Sequence, residues 1–402
     1  MTAELPIVEV GPVAHGGHCV ARLDGQVVFV RHALPGERVR IDVTERSKRF
    51  LRADAVEVLD AARDRVEPPC RYAGTCGGCD FQHVSPSGQR RLLGAVVQEQ
   101  LRRLAGLDRV VEVEAVEPED LGWRTRVTYA VDDDGHAGLR RHRSHEVVEI
   151  DRCLIAHPGA PEVPSARWED GPVEAIVSST GERVVVADGP VPEEILPLDG
   201  VVARDGRVRS GHGVVTERVR DRDFQISGSG FWQVHPRAAR TLVDAVLAGA
   251  QVRPGERVLD LYGGAGLFAA FLAEATGPGG EVLSVEGARG GHADARRNLA
   301  DLAQVRTMRA SVEKALSRGQ LGAAADVVVL DPPRTGSKDA VRPIAELSPR
   351  RIVYVACDPA ALARDLASFR EQGYELVDLR AFALFPMTHH VECVAVLAPA
   401  RG

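Results

Sequence analysis

The sequence predicts an α/β protein: a doubly wound, mainly parallel sheet in residues 221–402, a small β-barrel over 1–60 and a β-rich central domain over 61–220. Three observations predict it. Apolar β-prone runs alternate with helical runs from residue 257 onward, the pattern of parallel strands covered on both faces. The first of those runs empties into Gly263-Gly264-Ala265-Gly266, where an open sheet keeps its ligand. Ahead of it, five short alternating segments between Ile7 and Leu59 are punctuated by Gly and Pro, as in a small closed barrel.

Composition narrows the function classes. The 402 residues allow two or three domains, and no apolar run approaches the roughly 20 residues that span a bilayer. No secretory leader pattern opens the chain, so a cytoplasmic monomer without membrane contact is expected. A formal net charge of -7 argues against general polyanion binding, and nucleic-acid contact would need local basic patches. Among the 50 basic residues only Lys48, Lys314 and Lys338 are lysines, which points to coding bias and weakens arginine as a functional signal.

In the barrel, Arg31, Arg38, Arg40, Arg46, Lys48, Arg49 and Arg52 outnumber Glu37, Asp42 and Glu45 between positions 31 and 52. A basic face that tracks a nucleic-acid backbone is one reading, and a solvated surface is the other. Cys19 reads as barrel core.

The central domain carries Cys70, Cys76 and Cys79 in PPCRYAGTCGGC, with Cys153 far downstream in EIDRC. Glycine lets the backbone fold tightly around a metal centre, and a remote fourth thiolate completes the set. A four-thiolate zinc and an iron–sulfur cluster are both open on spacing, which suits the cluster somewhat better. Ser85-Pro86 then starts a helix whose stripe is Leu92, Leu93, Val96, Val97, Leu101 and Leu104. Residues 123–150 read as a hairpin turning at Asp134-Gly135, with Arg140, Arg141 and Arg143 on its return side.

In the sheet, Glu286 ends the second strand, where an acid commonly takes ribose hydroxyls. No pyrophosphate cradle accompanies it, so an adenosyl ligand without phosphates, S-adenosylmethionine, fits the glycine loop beginning at Gly263. The fourth strand stops at Asp331-Pro332-Pro333 and the fifth at Cys357, before Asp358-Pro359 opens a helix. By itself Cys357 is balanced between core filler and a thiolate activated at a helix amino terminus. The short turn PMTHH makes the seventh strand antiparallel to the sixth, which brings Glu392 to the same rim. A nucleophilic thiol, a carboxylate and a methyl donor in one crevice suit methylation of pyrimidine carbon 5, which needs transient thiolate addition at carbon 6 and a base for the carbon-5 proton.

With CRYAGTCGGC and DRC, FWQVHP, DLYGGAGLF, SVEG, DPPRTG, YVACDPAALARDL and FPMTHHVE in order, the chain resembles the TRAM-domain RNA (uracil-5-)-methyltransferases over nearly its whole length. The resemblance implies a Rossmann-like methyltransferase domain, an OB-like TRAM barrel and a central iron–sulfur domain. It implies that Cys357 is the nucleophile and Glu392 the base, that Gln233, Tyr262, Glu286 and Asp331 contact S-adenosylmethionine, and that Phe231 stacks on a flipped uracil. It further implies a four-iron (4Fe-4S) cluster on Cys70, Cys76, Cys79 and Cys153, and packing of the Ser85–Leu104 helix on the catalytic domain. Members with both barrel and cluster most often act on 23S ribosomal RNA (rRNA), with transfer RNA (tRNA) the alternative.

The chain departs from the family pattern at Gly264, usually Cys, at Leu267 and His235, usually Asn, and at Asp358, commonly Asn. A cofactor contact through Leu267 is therefore expected to be lost, and Ser311 is a candidate contact from the third strand. A radical S-adenosylmethionine enzyme expects cluster cysteines spaced x3 and x2, where this chain has x5 and x2. RNA cytosine-5 methyltransferases place a cysteine where Arg334 stands.

Overall fold

The computed structural model of the chain describes residues 5–400. Strands β1 (Ile7–Glu9), β2 (Cys19–Leu23), β3 (Gln26–Arg31), β4 (Arg38–Arg46) and β5 (Phe50–Asp60) form one sheet in the order β1-β4-β5-β3-β2. Alternate residues Val28, Val30, Val39 and Ile41 point inward and are fully buried around Cys19. The sheet curls until its edges meet, where Gly11 N–H donates to Val20 O at 2.7 Å. The basic face is largely neutralised, because Arg31 faces Asp54, Arg38 faces Asp60, Arg40 faces Glu57 and Arg52 faces Glu45. Arg46, Lys48 and Arg49, at the β4–β5 connection, stay exposed without an ion pair among the described residues.

Ser85 caps helix α1 (Pro86–Gln100) by accepting from Gly88 N–H at 3.2 Å, with Pro86 in the first turn. The helix widens into a π-type turn over Leu101–Ala105 and stops at Gly106, whose φ is 64°. Its stripe, Leu93, Val97, Leu101 and Ala105, shares one core with Leu362, Leu366 and Phe369 near the C-terminus, so the helix packs on the catalytic layer as expected.

After β6 (Val113–Glu114) come β7 (Arg126–Val131), β8 (Ala137–Arg140), β9 (Val147–Glu149), β10 (Val173–Val177), β11 (Arg183–Val186), β12 (Gly200–Val202) and β13 (Val208–Gly211). The last seven form a sheet of order β13-β12-β11-β10-β7-β8-β9. The β7–β8 turn closes where Asp134-Gly135 predicts it: Asp132 Oδ1 accepts from Asp134 and His136 N–H, and Gly135 has φ 83°. Strands β14 (Val214–Val219) and β15 (Arg222–Ser227) make a separate hairpin, whose turn holds the expected 220/221 boundary.

The remaining chain runs α2 (Ala238–Ala250), β16 (Arg257–Leu261), α3 (Leu267–Thr276), β17 (Glu281–Glu286), α4 (Arg289–Asn298), β18 (Val305–Arg309), α5 (Val312–Ser317), β19 (Val327–Leu330), α6 (Lys338–Glu346), β20 (Arg351–Ala356), α7 (Pro359–Glu371), β21 (Tyr374–Phe382) and β22 (Glu392–Pro399). The sheet order is β18-β17-β16-β19-β20-β22-β21-β6. The first five strands are parallel, and β22 inserts antiparallel between β20 and β21. Val258, Leu259, Leu261, Val327, Val329 and Val353 are fully buried between helices on the two faces, which explains their unbroken apolar runs. The eighth strand is an addition to the sequence-based reading: β6 pairs parallel with the β21 edge, and Glu114 there accepts from Arg380 Nε and Nη2, each at 2.8 Å. Among the described residues no helix is long and apolar enough to cross a membrane.

Candidate active site

β16 ends at Leu261 and the chain turns through Tyr262, at φ 60°, into Gly263. Only glycine fits at 263, because a Cβ would collide with Ser284 Oγ and Asp260 Oδ2. Gly264, at φ 54°, donates its N–H to Glu286 Oε2 at 2.9 Å, and Ala288 N–H donates to the other oxygen. The acid at the end of β17 is thus fixed by backbone. Tyr262 donates its hydroxyl to Glu313 at 2.6 Å. Tyr262, Gly263 and Glu286 line a cavity of about 900 Å³ together with Gln233, Asp331 and Phe231. Phe231 is 75% exposed, on a turn where Arg126 Nη1 donates to Gly230 O at 2.8 Å.

Cys357 and Glu392 are not in the cavity lining; they face each other across two strands. The β20–β22 register pairs Ala356 with Cys393, so the next antiparallel step sets Cys357 opposite Glu392. Asp358 caps α7 by accepting from Ala361 N–H at 2.7 Å, and its other oxygen lies 3.1 Å from His15 Nε2 of the barrel. Asp331, a wall of the cavity, links the two places through its charge. Burial foremost, then the Glu392 and Asp331 carboxylates, push the Cys357 thiol up to about 11, with Arg334 opposing. A helix amino terminus offers a route to a lowered thiol, but here desolvation and two acidic neighbours outweigh it. Glu392, 4% exposed, is raised well above the carboxylate range by burial and then Asp331, again with Arg334 opposing. Asp331 is itself raised by burial and by Asp260, whose own carboxyl burial lifts to about 7. Burial and mutual charge thus push both the thiol and the acid toward their neutral forms beside the cavity.

Comparison with known proteins places this arrangement. A TRAM domain model matches residues 7–56, and a tRNA (Uracil-5-)-methyltransferase model matches residues 203–400. The chain is 51% identical to an uncharacterized RNA methyltransferase of Streptomyces avermitilis, over 98% of each chain. It is 40% identical to another from Bifidobacterium longum, over 97% of this chain and 95% of that one. The chain belongs to the TRAM-bearing RNA (uracil-5-)-methyltransferase family. It is an S-adenosylmethionine-dependent RNA methyltransferase. The crystal structure of the Pyrococcus abyssi tRNA (uracil-54, C5)-methyltransferase in complex with S-adenosyl-L-homocysteine shares the fold, with a TM-score of 0.72, 24% identity and coverage of 97% of this chain and 99% of that one.

The departures from the family pattern have local explanations. His235 is 1% exposed, stacks on Trp123 at 6.0 Å between ring centroids and shares a 3.2 Å hydrogen bond with Pro118 O, away from the cavity. Burial lowers its imidazole to about 4, so it stays neutral. Leu267 packs as a buried residue at the start of α3 and still borders the cavity. Ser311 is no part of the cavity wall: it caps α5 and donates to Glu313, the acceptor of the Tyr262 hydroxyl. The sequence reading missed Arg334 as the cation beside the thiol, though its place directly after the Asp-Pro-Pro stop carried the signal.

Cys70, Cys76, Cys79 and Cys153 line one small cavity, as their spacing predicts, and all four are free thiols. Among the described residues, however, no group of three His, Cys, Asp or Glu side chains is placed to hold an ion. Burial pushes the thiols of Cys76, Cys79 and Cys153 up, Cys79 to about 12.

Proposed function

We propose that the protein methylates carbon 5 of a uridine in 23S ribosomal RNA through a transient bond between Cys357 and carbon 6. The observation that carries this reading is the strand register that sets Cys357 opposite Glu392 beside the Asp331 wall of the cofactor cavity. The Cys357 thiolate adds to carbon 6 and the displaced electron pair moves to the oxygen on carbon 4, which makes carbon 5 nucleophilic. Bound S-adenosylmethionine supplies the electrophilic methyl group, and Gln233, Tyr262, Gly263, Glu286 and Asp331 hold it. Glu392 then takes the carbon-5 proton, the carbon 5–carbon 6 double bond re-forms, and the thiolate leaves. Positive charge brought into the acidic cavity favours the ionised forms of both groups, against the upward push of burial.

A uridine reaches Cys357 only once extruded from its stack, which costs least in an RNA loop, and the exposed Phe231 ring offers it a stacking face. In this reading residues 1–60 and 61–220 are the RNA-holding domains and 221–402 the catalytic one. Transfer RNA is the second reading, favoured by the family model that matches residues 203–400 and by the fold shared with the archaeal tRNA enzyme. Mapping 5-methyluridine in ribosomal and transfer RNA from cells lacking the protein separates the two. The four cysteines are proposed to take a four-iron cluster: they share one cavity, and Gly78 N–H already donates to Cys76 Sγ. Anaerobic purification yielding zinc without iron or acid-labile sulfide removes that assignment.

The covalent step is tested with RNA carrying 5-fluorouridine at the target. With S-adenosylmethionine it should leave a denaturation-resistant adduct, because fluorine cannot depart as a proton does. Cys357→Ala should abolish both the adduct and turnover; an adduct on that variant overturns the nucleophile assignment. Glu392→Gln should stall after methyl transfer and accumulate adduct on ordinary RNA, and full turnover would remove Glu392 as the base.

A further inference from the structure

Glu392 sits at the first position of β22, so the irregular segment 385–391 before it decides where the carboxyl points. That segment includes Met387 in a left-handed conformation, φ 65°, which a side chain adopts only when its surroundings hold it there. The surroundings come from the cysteine segment and α1. Met387 O accepts from both Asp80 N–H, at 2.8 Å, and Phe81 N–H, at 2.9 Å. Met387 N–H donates to Gln89 Oε1 at 2.8 Å, and the same amide reaches back from Nε2 to Val84 O at 2.9 Å. Two residues on, a single carboxylate oxygen of Asp80 takes His389 N–H at 3.2 Å and lies 2.6 Å from His389 Nδ1. Cys357 takes part in none of these bonds; β20 and the Asp358 cap of α7 hold its segment.

We infer that Asp80 is a positioning residue for Glu392: by fastening His389 and the Met387 turn, it sets the base against the carbon-5 proton while leaving the nucleophile free of its influence. The inference rests on the reading of Glu392 as the base, and it gives the segment next to Cys79 a part in the reaction. In the step concerned, the C5–H bond breaks with its proton passing to Glu392, its electron pair forms the carbon 5–carbon 6 double bond, and the C6–S bond breaks to release the thiolate. A misplaced base slows this elimination, and a displacement of about 1 Å can cost on the order of 100-fold.

The test is Asp80→Ala, which removes the carboxylate but keeps both backbone bonds to Met387. On ordinary RNA it should accumulate the Cys357 adduct, with turnover slowed roughly 10–100-fold, while trapping of 5-fluorouridine RNA slows far less. Asp80→Asn keeps an oxygen acceptor for His389 N–H and should recover much of the loss. His389→Ala should reproduce the Asp80→Ala behaviour from the other side, with the cysteine segment untouched. In a Glu392→Gln background, Asp80→Ala should slow elimination no further. Wild-type turnover by Asp80→Ala, or equal slowing of trapping and turnover without adduct, overturns the inference. If Glu392→Gln itself leaves no adduct, the base assignment fails first and takes the inference with it.

Discussion

In the cofactor cavity, Glu286 meets two backbone N–H groups and is fixed before any ligand arrives. On the other side of Asp331, the Glu392 side chain has no hydrogen bond among the described residues and is driven toward its neutral form by burial and a carboxylate neighbour. Both acids end or begin strands at the same rim, so topology does not distinguish them. Solvation does. The first is an acceptor that the backbone preorganises, as its proposed cofactor role requires. The second, like Cys357, is a group that its surroundings push toward the uncharged form. In the proposed roles, a binding acid gains from a charge that is always present, whereas a buried nucleophile and base avoid two uncompensated charges at rest.

The sharpest way to break this comparison is to remove Arg334, the cation that opposes the rise of both Cys357 and Glu392. Thiolate is the reacting form, so activity limited by its formation rises with pH toward the thiol pKa of about 11. Arg334→Gln should displace that limb to higher pH, and each tenfold weakening of thiol acidity should lower the rate at pH 8 by about tenfold. Affinity for S-adenosylmethionine, proposed to rest on the Glu286 side of the cavity, should hardly change. A pH profile of kcat/KM identical to that of the parent protein would show that Arg334 does not tune the thiol.

The same division marks what the sequence made legible. Register and direction follow from short-range pattern: the brief turn PMTHH makes β22 antiparallel, and that suffices to bring Glu392 to Cys357. The glycine loop and the acid after β17 likewise announce a cavity. The direction in which the Cys357 thiol is pushed was not legible, because it depends on how many carboxylates share a buried space, which only packing decides. The barrel's basic excess could not be weighed from the sequence for a related reason. Counting arginines ignores cross-strand partners such as Asp60 opposite Arg38 and Glu57 opposite Arg40, which lie far away in sequence but adjacent in the ladder. β6 escaped notice because two residues, Val113 and Glu114, carry no periodicity.

Asp260 extends the comparison to stability. It is 1% exposed and accepts from Ser284 Oγ at 3.1 Å, yet burial holds its carboxyl near pH 7. Between pH 4 and pH 7 the folded state therefore binds more protons here than the unfolded chain, and stability falls as pH rises through that window. Asp260→Asn should raise the melting temperature at pH 8 by an amount worth no more than a few kcal/mol, since a tenfold difference in proton affinity between the folded and unfolded states is worth about 1.4 kcal/mol. At pH 4, where the acid is largely neutral in the folded protein and half-protonated in the unfolded chain, most of the gain should vanish. Equal stabilisation at both pH values would mean that Asp260 does not titrate in this range.

The smallest expected effect tests where the cavity ends. His235 stands where the family usually has Asn, so cofactor binding would be the natural guess for its role. Its ring instead stacks on Trp123, its Nδ1 accepts from Arg237 N–H at 3.2 Å, and its Nε2 reaches Pro118 O. The low imidazole pKa of about 4 keeps it neutral, so it contributes packing and hydrogen bonds but no charge at physiological pH. His235→Asn preserves a polar side chain but loses the stack, a contact worth about 0.5–1.5 kcal/mol. Thermal unfolding should register a loss of that size, and calorimetric affinity for S-adenosylmethionine should stay within about twofold, since Gln233 lines the cavity but His235 does not. Clearly tighter binding by His235→Asn would show that the cavity's electrostatic reach extends past Trp232 and Gln233 into the Trp123 cluster.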